Sequence, residues 1–251
     1  MKMHVEVNGV PRLSVVIPAY NEEAYLPRLL DTADAARAAY REGPNAVEVI
    51  VADNGSTDAT AEIAGARGCR VVSVAKRVIA AARNGGAAVA RGSFLTFVDA
   101  DMGIHPEMFN AIDDALSGGR YVGGSTGVTL DRWSIGLAVT YATFVPMAWL
   151  TKFDTGAVFC RREDFERLGG YNEVRFYGED VQFLWDLRRL GRRRGRRLVR
   201  LSSVKAIAST RKFERFGDWH YFTSFPRLLV KMFTTPGAKT DFVERYWYSD
   251  R

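Results

Sequence analysis

Four short runs of apolar, often β-branched residues mark the first part of the chain, at 13–18, 47–53, 69–74 and 93–99. Nearly continuous apolar content over so few positions predicts strands buried on both faces, as in a parallel sheet. Segments of helical character lie between them, at 22–41, 58–67 and 80–91. Asn21 stands ahead of the first, and Ser56-Thr57-Asp58 ahead of the second, as helix start signals. Strand and helix in alternation predict an α/β fold with a doubly wound, mainly parallel sheet. Further on, "YVGGS" predicts a short strand and 178–190 an amphipathic helix whose apolar side carries Val181, Leu184, Trp185 and Leu187. Residues 133–150, "WSIGLAVTYATFVPMAWL", hold no charge. The stretch is barely long enough for a bilayer and is broken by glycine, proline and hydroxyl residues, so it predicts a buried or interfacial helix.

The polar residues become informative where they follow the strands. The first strand ends in "PAYNEE", the second in "DNGSTD" and the fourth in "DADMG", whereas the third ends in "VAKRV". Ligands of an open α/β sheet bind beyond the carboxyl ends of its strands, and acids at three of those ends predict one shared site. Asp99 and Asp101 alternate at the fourth end, so on an extended strand both face one side. Two close carboxylates call for a cation between them, and oxygen ligands point to Mg²⁺ or Mn²⁺. Asp53 suits either a base N–H or an Asx cap on its own turn. Arg83-Asn84-Gly85-Gly86 opens the helix before the fourth strand, with an arginine able to fork onto a diphosphate. Asp180, in the first turn of the helix predicted at 178–190, suits a general base.

Composition narrows the partners. With 47% hydrophobic and 25% charged residues, the chain is an ordinary globular one and not mainly disordered. A net charge of +6 attracts anions without choosing among nucleotides, nucleic acids and acidic lipids. The run "RRLGRRRGRR" (188–197) comes without interleaved aromatics, zinc ligands or a helix-turn-helix pattern. It predicts a solvated basic turn or a patch for lipid headgroups, not a nucleic-acid site. Cys69 and Cys160 are too few for a disulfide or zinc framework and read as reduced structural thiols. Of the histidines His4, His105 and His220, His220 alone is a candidate late metal ligand. No signal-peptide pattern opens the sequence, which makes the cytoplasm the expected location, with peripheral contact at the inner face of the membrane left open.

Taken in order, "VVIPAYNEE", "VIVADNGSTDAT", "RNGGAAVARGSFLTFVDADM", "TGAVFCRREDFERLGGYNE" and "GEDVQFLWDLRRLG" resemble the family 2 glycosyltransferases of the GT-A fold over about residues 13–215. The resemblance implies one GT-A domain at 13–215, between an extension at 1–12 and a helical tail at 216–251. Within it, 13–103 would be the nucleotide-binding half and 104–215 the acceptor half. It also implies roles: Pro18, Tyr20, Glu22, Asp53, Arg83, Asp99, Ala100 and Arg211 around the nucleotide sugar, less securely Lys212, with Asp101 and Asp99 on Mn²⁺ or Mg²⁺. Asp180 becomes the base of an inverting displacement. The implied donor is a nucleoside-diphosphate sugar, a uridine diphosphate sugar first and guanosine diphosphate mannose next. The acceptor is a glycan or a lipid-linked hydroxyl. Gly103 departs from lipid-phosphate mannosyltransferase relatives, which often carry a polar ligand at that position. Two alternatives stand beside this reading. A nucleotidyltransferase of related fold calls for a glycine-rich, lysine-bearing loop after the first strand, which "PAYNEE" lacks. A non-catalytic sugar-nucleotide-binding protein would have little use for Asp180.

Overall fold

The computed structural model describes residues 9–223 apart from 152, 155 and 175–177. The extension up to residue 8, with His4, and the tail from residue 224 therefore lie outside the described residues. The elements run β1 (Leu13–Ala19), α1 (Leu26–Ala39), β2 (Val47–Asp53), α2 (Thr60–Ala66), β3 (Arg70–Ser73), α3 (Ile79–Val89), β4 (Phe94–Phe97) and α4 (Met108–Ser117). They continue with β5 (Tyr121–Leu130), α5 (Ile135–Thr151), β6 (Val158–Arg161), α6 (Arg162–Leu168), α7 (Glu179–Arg193), β7 (Arg197–Ala208) and α8 (Arg211–Phe216).

The seven strands form one sheet in the order β3-β2-β1-β4-β6-β5-β7. Only β6 runs antiparallel to its neighbours. Alternate residues of a strand face opposite sides, and β1 shows the consequence. Val15 and Ile17 pack with Leu26 and Leu29 of α1 and Phe109 and Ile112 of α4. Val16 belongs to the other core, with Ala80 of α3 and Phe183, Leu184 and Leu187 of α7. The sheet is thus covered on both faces, as the apolar runs require. Gly86 lets α3 lie close, because a Cβ there would collide with Val16 and come 3.4 Å from Ala52.

One irregularity opens the sheet. β1 pairs with β2 as far as Ala19–Asp53 but with β4 only as far as Val16–Phe97. The Val98 N–H donates to Val16 O at 3.1 Å as the last rung between β1 and β4. Two residues on, Pro18 faces the same side and has no N–H to give, so the two strands part there without loss of a rung. This is also where the strand order reverses, and a crevice at that place is the expected ligand site of such a sheet.

The sequence reading needs correction in several places. β3 is an exposed edge strand, Val71 being 38% exposed, since β2 is its one neighbour. α1 starts at Leu26 instead of residue 22. Asn21 does not cap it: its Oδ1 accepts the Thr57 N–H at 2.8 Å, and its backbone is left-handed at φ 49°. Arg83 to Gly86 lie inside α3 rather than at its start. β5 is ten residues long, well beyond "YVGGS". On α7, Val181 and Trp185 are 45% and 46% exposed, because Phe183, Leu184 and Leu187 define the inward face. The basic run is a helix end and turn rather than wholly solvated, with Arg194 paired to the buried Asp164. No described helix is long and apolar enough to cross a membrane.

Candidate active site

β2, β1 and β4 are neighbours and parallel, so their three acidic ends meet at one edge of the sheet. Asp53, almost fully buried, accepts the Ser56 N–H at 3.2 Å and so caps its own turn. Tyr20 lies under the Arg77 guanidinium, 4.6 Å from its ring centre, which brings the basic end of β3 to the same edge. Ala100 is buried in the core beside Ile104. Both cysteines are free thiols.

β4 stops at Phe97, so Asp99 and Asp101 stand in a turn, closed by the Met102 N–H on Asp99 O at 3.0 Å. Strand alternation therefore does not set their directions, contrary to the expectation from spacing. The turn sends them to two different arginines. Asp99 meets Arg83 at 2.8 Å and Asp101 meets Arg211 at 3.0 Å.

Arg83 is the hub of the first cluster. Its side chain is 3% exposed and grips Glu179 at 2.6 Å, Asp180 at 3.0 Å and Asp99 at 2.8 Å. The sequence placed it near the nucleotide; its guanidinium faces three carboxylates, over the ring of Tyr171 at 5.2 Å. Tyr171 stacks on Phe183 at 4.5 Å, and Phe97 meets Phe165 at 5.3 Å, so an aromatic floor supports the hub. Aromatic pairs of this kind contribute about 0.5–1.5 kcal/mol each beyond their burial. A buried guanidinium among acids stays charged, and all three partners gain from it. Even so, crowding and burial push the Asp180 carboxyl up to about 7, with Arg83 pulling the other way. Its side chain keeps 29% exposure, an open edge through which a proton can arrive. A carboxylate poised near neutrality is the property a general base needs.

Arg211 anchors the second cluster. It forks onto Glu22 at 2.9 and 3.1 Å, reaches Asp101 at 3.0 Å and lies over the Tyr25 ring at 4.8 Å. Glu22, expected at the nucleotide, is 1% exposed and committed to this pair. Lys212 is half-buried. His220 donates from Nδ1 to Gly217 O at 3.0 Å and packs on Phe213, and burial lowers its pKa. Tyr171, Glu179 and Tyr25 were not nominated from sequence. The signal for them was weak, an aromatic or acid beside each motif.

For a divalent ion the donor chemistry fits in a limited way. Asp99 and Asp101 offer hard oxygens, but no cluster of three or more His, Cys, Asp or Glu able to hold a metal exists among the described residues. Two carboxylates suit an ion that shares its remaining coordination with a diphosphate, the usual habit of Mg²⁺.

The family model "Glycosyl transferase family 2" matches residues 14–194, most of the chain, a span that holds Glu22, Asp53, Asp99, Asp101, Glu179 and Asp180 but not Arg211. The chain belongs to glycosyl transferase family 2. Validoxylamine A glucosyltransferase of Streptomyces hygroscopicus subsp. limoneus is 37% identical over 116 residues, 43% of this chain and 24% of its own length. Undecaprenyl-phosphate 4-deoxy-4-formamido-L-arabinose transferase of Pseudomonas aeruginosa (strain LESB58) is 35% identical over 150 residues, 54% of this chain and 43% of its own. The matched stretches are thus less than half of either relative. Among solved structures, S. aureus TarS 1–349 superposes with a TM-score of 0.61 at 17% identity, covering 94% of this chain and 70% of that one. Glucosyl-3-phosphoglycerate synthase from Mycobacterium tuberculosis, in complex with Mn²⁺, UDP and phosphoglyceric acid, gives 0.58 at 22% identity, covering 87% and 78%. At these identities the likeness shows the family 2 fold alone, a mostly parallel α/β sheet of GT-A type.

Proposed function

We propose that this family 2 chain transfers a sugar from a nucleoside diphosphate to an acceptor hydroxyl with inversion at the anomeric carbon. The observation that carries the reading is the Arg83 bridge. One guanidinium holds Asp180, at the start of α7, and Asp99, in the turn after β4, on its two sides. On this reading the proton acceptor and the donor-side acids face one another across a single crevice. Asp180 takes the proton of the acceptor hydroxyl as the oxygen attacks. Asp53, Tyr20 and the turn after β2 face the nucleoside, and Arg211 lies where a diphosphate would arrive. Asp101, with Asp99, would hold Mn²⁺ or Mg²⁺, whose charge offsets that of the leaving diphosphate.

The donor reading rests on resemblance, a uridine diphosphate sugar first and guanosine diphosphate mannose next. The complexes of the glucosyl-3-phosphoglycerate synthase with UDP and of a Pyrobaculum calidifontis mannosyltransferase with GDP-Man and Mn²⁺ are in keeping with that pair. For the acceptor, the lipid-linked option gains support from α5. Its Ile135, Val139, Trp149 and Leu150, with Trp133 before it, are exposed, and Trp219 and Phe222 are exposed as well. An apolar, tryptophan-edged surface of this kind suits a membrane interface, and the Pseudomonas relative is named for an undecaprenyl-phosphate substrate. The deciding experiment is a thermal-shift panel of nucleotide sugars with and without Mn²⁺, since a ligand of the folded state raises its melting temperature. Transfer and donor hydrolysis are then measured with the sugar that binds. No Mn²⁺-dependent shift with any nucleotide sugar, and no turnover, would end the reading.

A further inference from the structure

Asp101 faces a cation already built into the chain. Arg211 Nη2 lies 3.0 Å from Asp101 Oδ2 while the same guanidinium forks onto Glu22 at 2.9 and 3.1 Å. We propose that Arg211, held by Glu22, guards the face of Asp101 that a divalent ion takes, so that free metal is kept out and metal with nucleotide is admitted. The proposal rests on the reading of Asp101 as a metal carboxylate.

The two contacts of Arg211 are not equivalent. The Glu22 side chain is 2% exposed. Its backbone N–H donates to Thr60 Oγ1 at 2.8 Å, and its carbonyl accepts the Leu26 N–H at 2.8 Å as the chain enters α1. A carboxylate so placed is costly without a cation, so Arg211 stays with it. Tyr25 supports the guanidinium from its ring face at 4.8 Å. Asp101, 18% exposed in a turn, is the partner that can be exchanged. Glu22 is on this account a positioning residue for Arg211.

Backbone geometry puts the pair face to face. Ile207, near the end of β7, exchanges two hydrogen bonds with Gly103, at 2.8 and 2.9 Å. A Cβ on Gly103 would lie 3.3 Å from Ile207 Cβ, so the turn and the strand meet closely there. Gly103 thus joins the acid turn directly to β7. From β7 the chain reaches Thr210, whose N–H and hydroxyl donate to Asp131 at 3.1 and 2.7 Å, and then Arg211. Asp101 and Arg211 therefore oppose each other from anchored supports.

The electrostatic consequence has a sign. An ion arriving alone must displace a fixed positive charge from Asp101 and gives Arg211 nothing in return. An ion arriving with a diphosphate brings an anion that Arg211 can take while keeping Glu22. Removing the arginine should thus strengthen binding of the bare ion and weaken binding of the ion with nucleotide.

The test is electron paramagnetic resonance titration of Mn²⁺, with and without UDP, on the wild type and three variants. Arg211→Gln is expected to bind Mn²⁺ alone about tenfold more tightly, and Mn²⁺ with UDP about tenfold less tightly, the scale of one charge-assisted contact. Arg211→Lys keeps a cation on buried Glu22 but loses the forked reach, so it should fold and shift bare-ion binding the same way by a smaller factor. Asp101→Asn is expected to lose Mn²⁺ in both conditions. If Asp101→Asn loses the ion but neither Arg211 variant binds bare Mn²⁺ more tightly than wild type, the guard is overturned and the metal reading survives. Unchanged Mn²⁺ binding in Asp101→Asn overturns both.

Discussion

Replacing Arg83 by methionine tests the feature on which the site depends. Methionine roughly fills the arginine stem but removes the charge from three carboxylates at 2.6, 2.8 and 3.0 Å. Breaking a buried ion pair by deleting one partner costs about 3–5 kcal/mol. The partners are unequally shielded: Glu179 is 10% exposed, but Asp180 and Asp99 are 29% and 33% exposed and recover some hydration. The lower end, about 3 kcal/mol, is therefore the expectation. A chain of this size loses roughly 2–4 °C per kcal/mol, which makes the drop in melting temperature about 6–12 °C. A surface arginine such as Arg189, which is 77% exposed, would change stability by about 0–1 kcal/mol.

The deficit should also depend on pH. In the wild type the Asp180 carboxyl is raised to about 7 by burial, and Arg83 is the partner that lowers it. Without Arg83 it rises further. A carboxyl raised in the folded state stabilises below its unfolded pKa, and that contribution is lost as pH climbs through the folded value. The Arg83→Met deficit should accordingly be smaller in acid, where Asp180 is protonated and two ion pairs instead of three are lost, and widen as pH rises through and beyond 7. Urea unfolding of both proteins across that range measures it. A deficit under about 1 kcal/mol, or one that does not change with pH, would refute the hub, because a merely exposed arginine gives that result.

Other expectations follow from the same geometry. Asp180→Asn should lower turnover by about 10²–10⁴ while nucleotide affinity by calorimetry stays near wild type; full turnover would remove Asp180 as the base. The wild-type kcat/KM should climb with pH to a plateau just above about 7, where the raised Asp180 carboxyl is ionised, and a flat profile would point to another proton acceptor. Stripping divalent ions with a chelator should abolish transfer, with Mn²⁺ or Mg²⁺ restoring it. Trp149→Glu should reduce sedimentation with anionic lipid vesicles and leave melting nearly unchanged, as Trp149 is 63% exposed; undiminished sedimentation would argue against α5 as a membrane face. Gly86→Leu should destabilise the fold by about 1–3 kcal/mol or more through the collision with Val16 on β1.

What the sequence made legible was whatever depends on one segment at a time. Apolar runs located β1, β2 and β4, and turn-forming acids after them located the sheet edge at which the candidate site lies, because burial and hydrogen bonding act on neighbours in the chain. Partnerships between distant residues were not legible. Arg83 and Glu179 are 96 positions apart and Arg211 and Glu22 are 189 apart, and no local pattern couples them. Periodicity likewise missed that Trp185 and Val181 face outward, since a helix with aromatics on two sides has two possible inner faces until Phe183 finds Tyr171.

The largest error of spacing was instructive. The spacing of Asp99 and Asp101 predicts two acids on one face of a strand with one cation between them. The strand ends early, the turn separates the carboxylates, and each has its own arginine, one buried and tied to Asp180, the other anchored by Glu22. Arg83 is shared among Asp99, Glu179 and Asp180, and Arg211 between Glu22 and Asp101, so two guanidinium groups face five carboxylates and the crevice keeps a negative excess that favours a further cation. The difference between the arginines is what makes the site usable. Arg83, enclosed by three acids on an aromatic floor, has nowhere to go and fixes Asp180 relative to Asp99. Arg211 has one buried anchor and one exchangeable partner, so it can release Asp101 without leaving Glu22 uncompensated. On the proposed exchange, a substrate carrying both a cation and a diphosphate would give Asp101 a new cation and Arg211 a new anion, whereas the cation alone would give Arg211 nothing and the diphosphate alone would leave Asp101 without its partner.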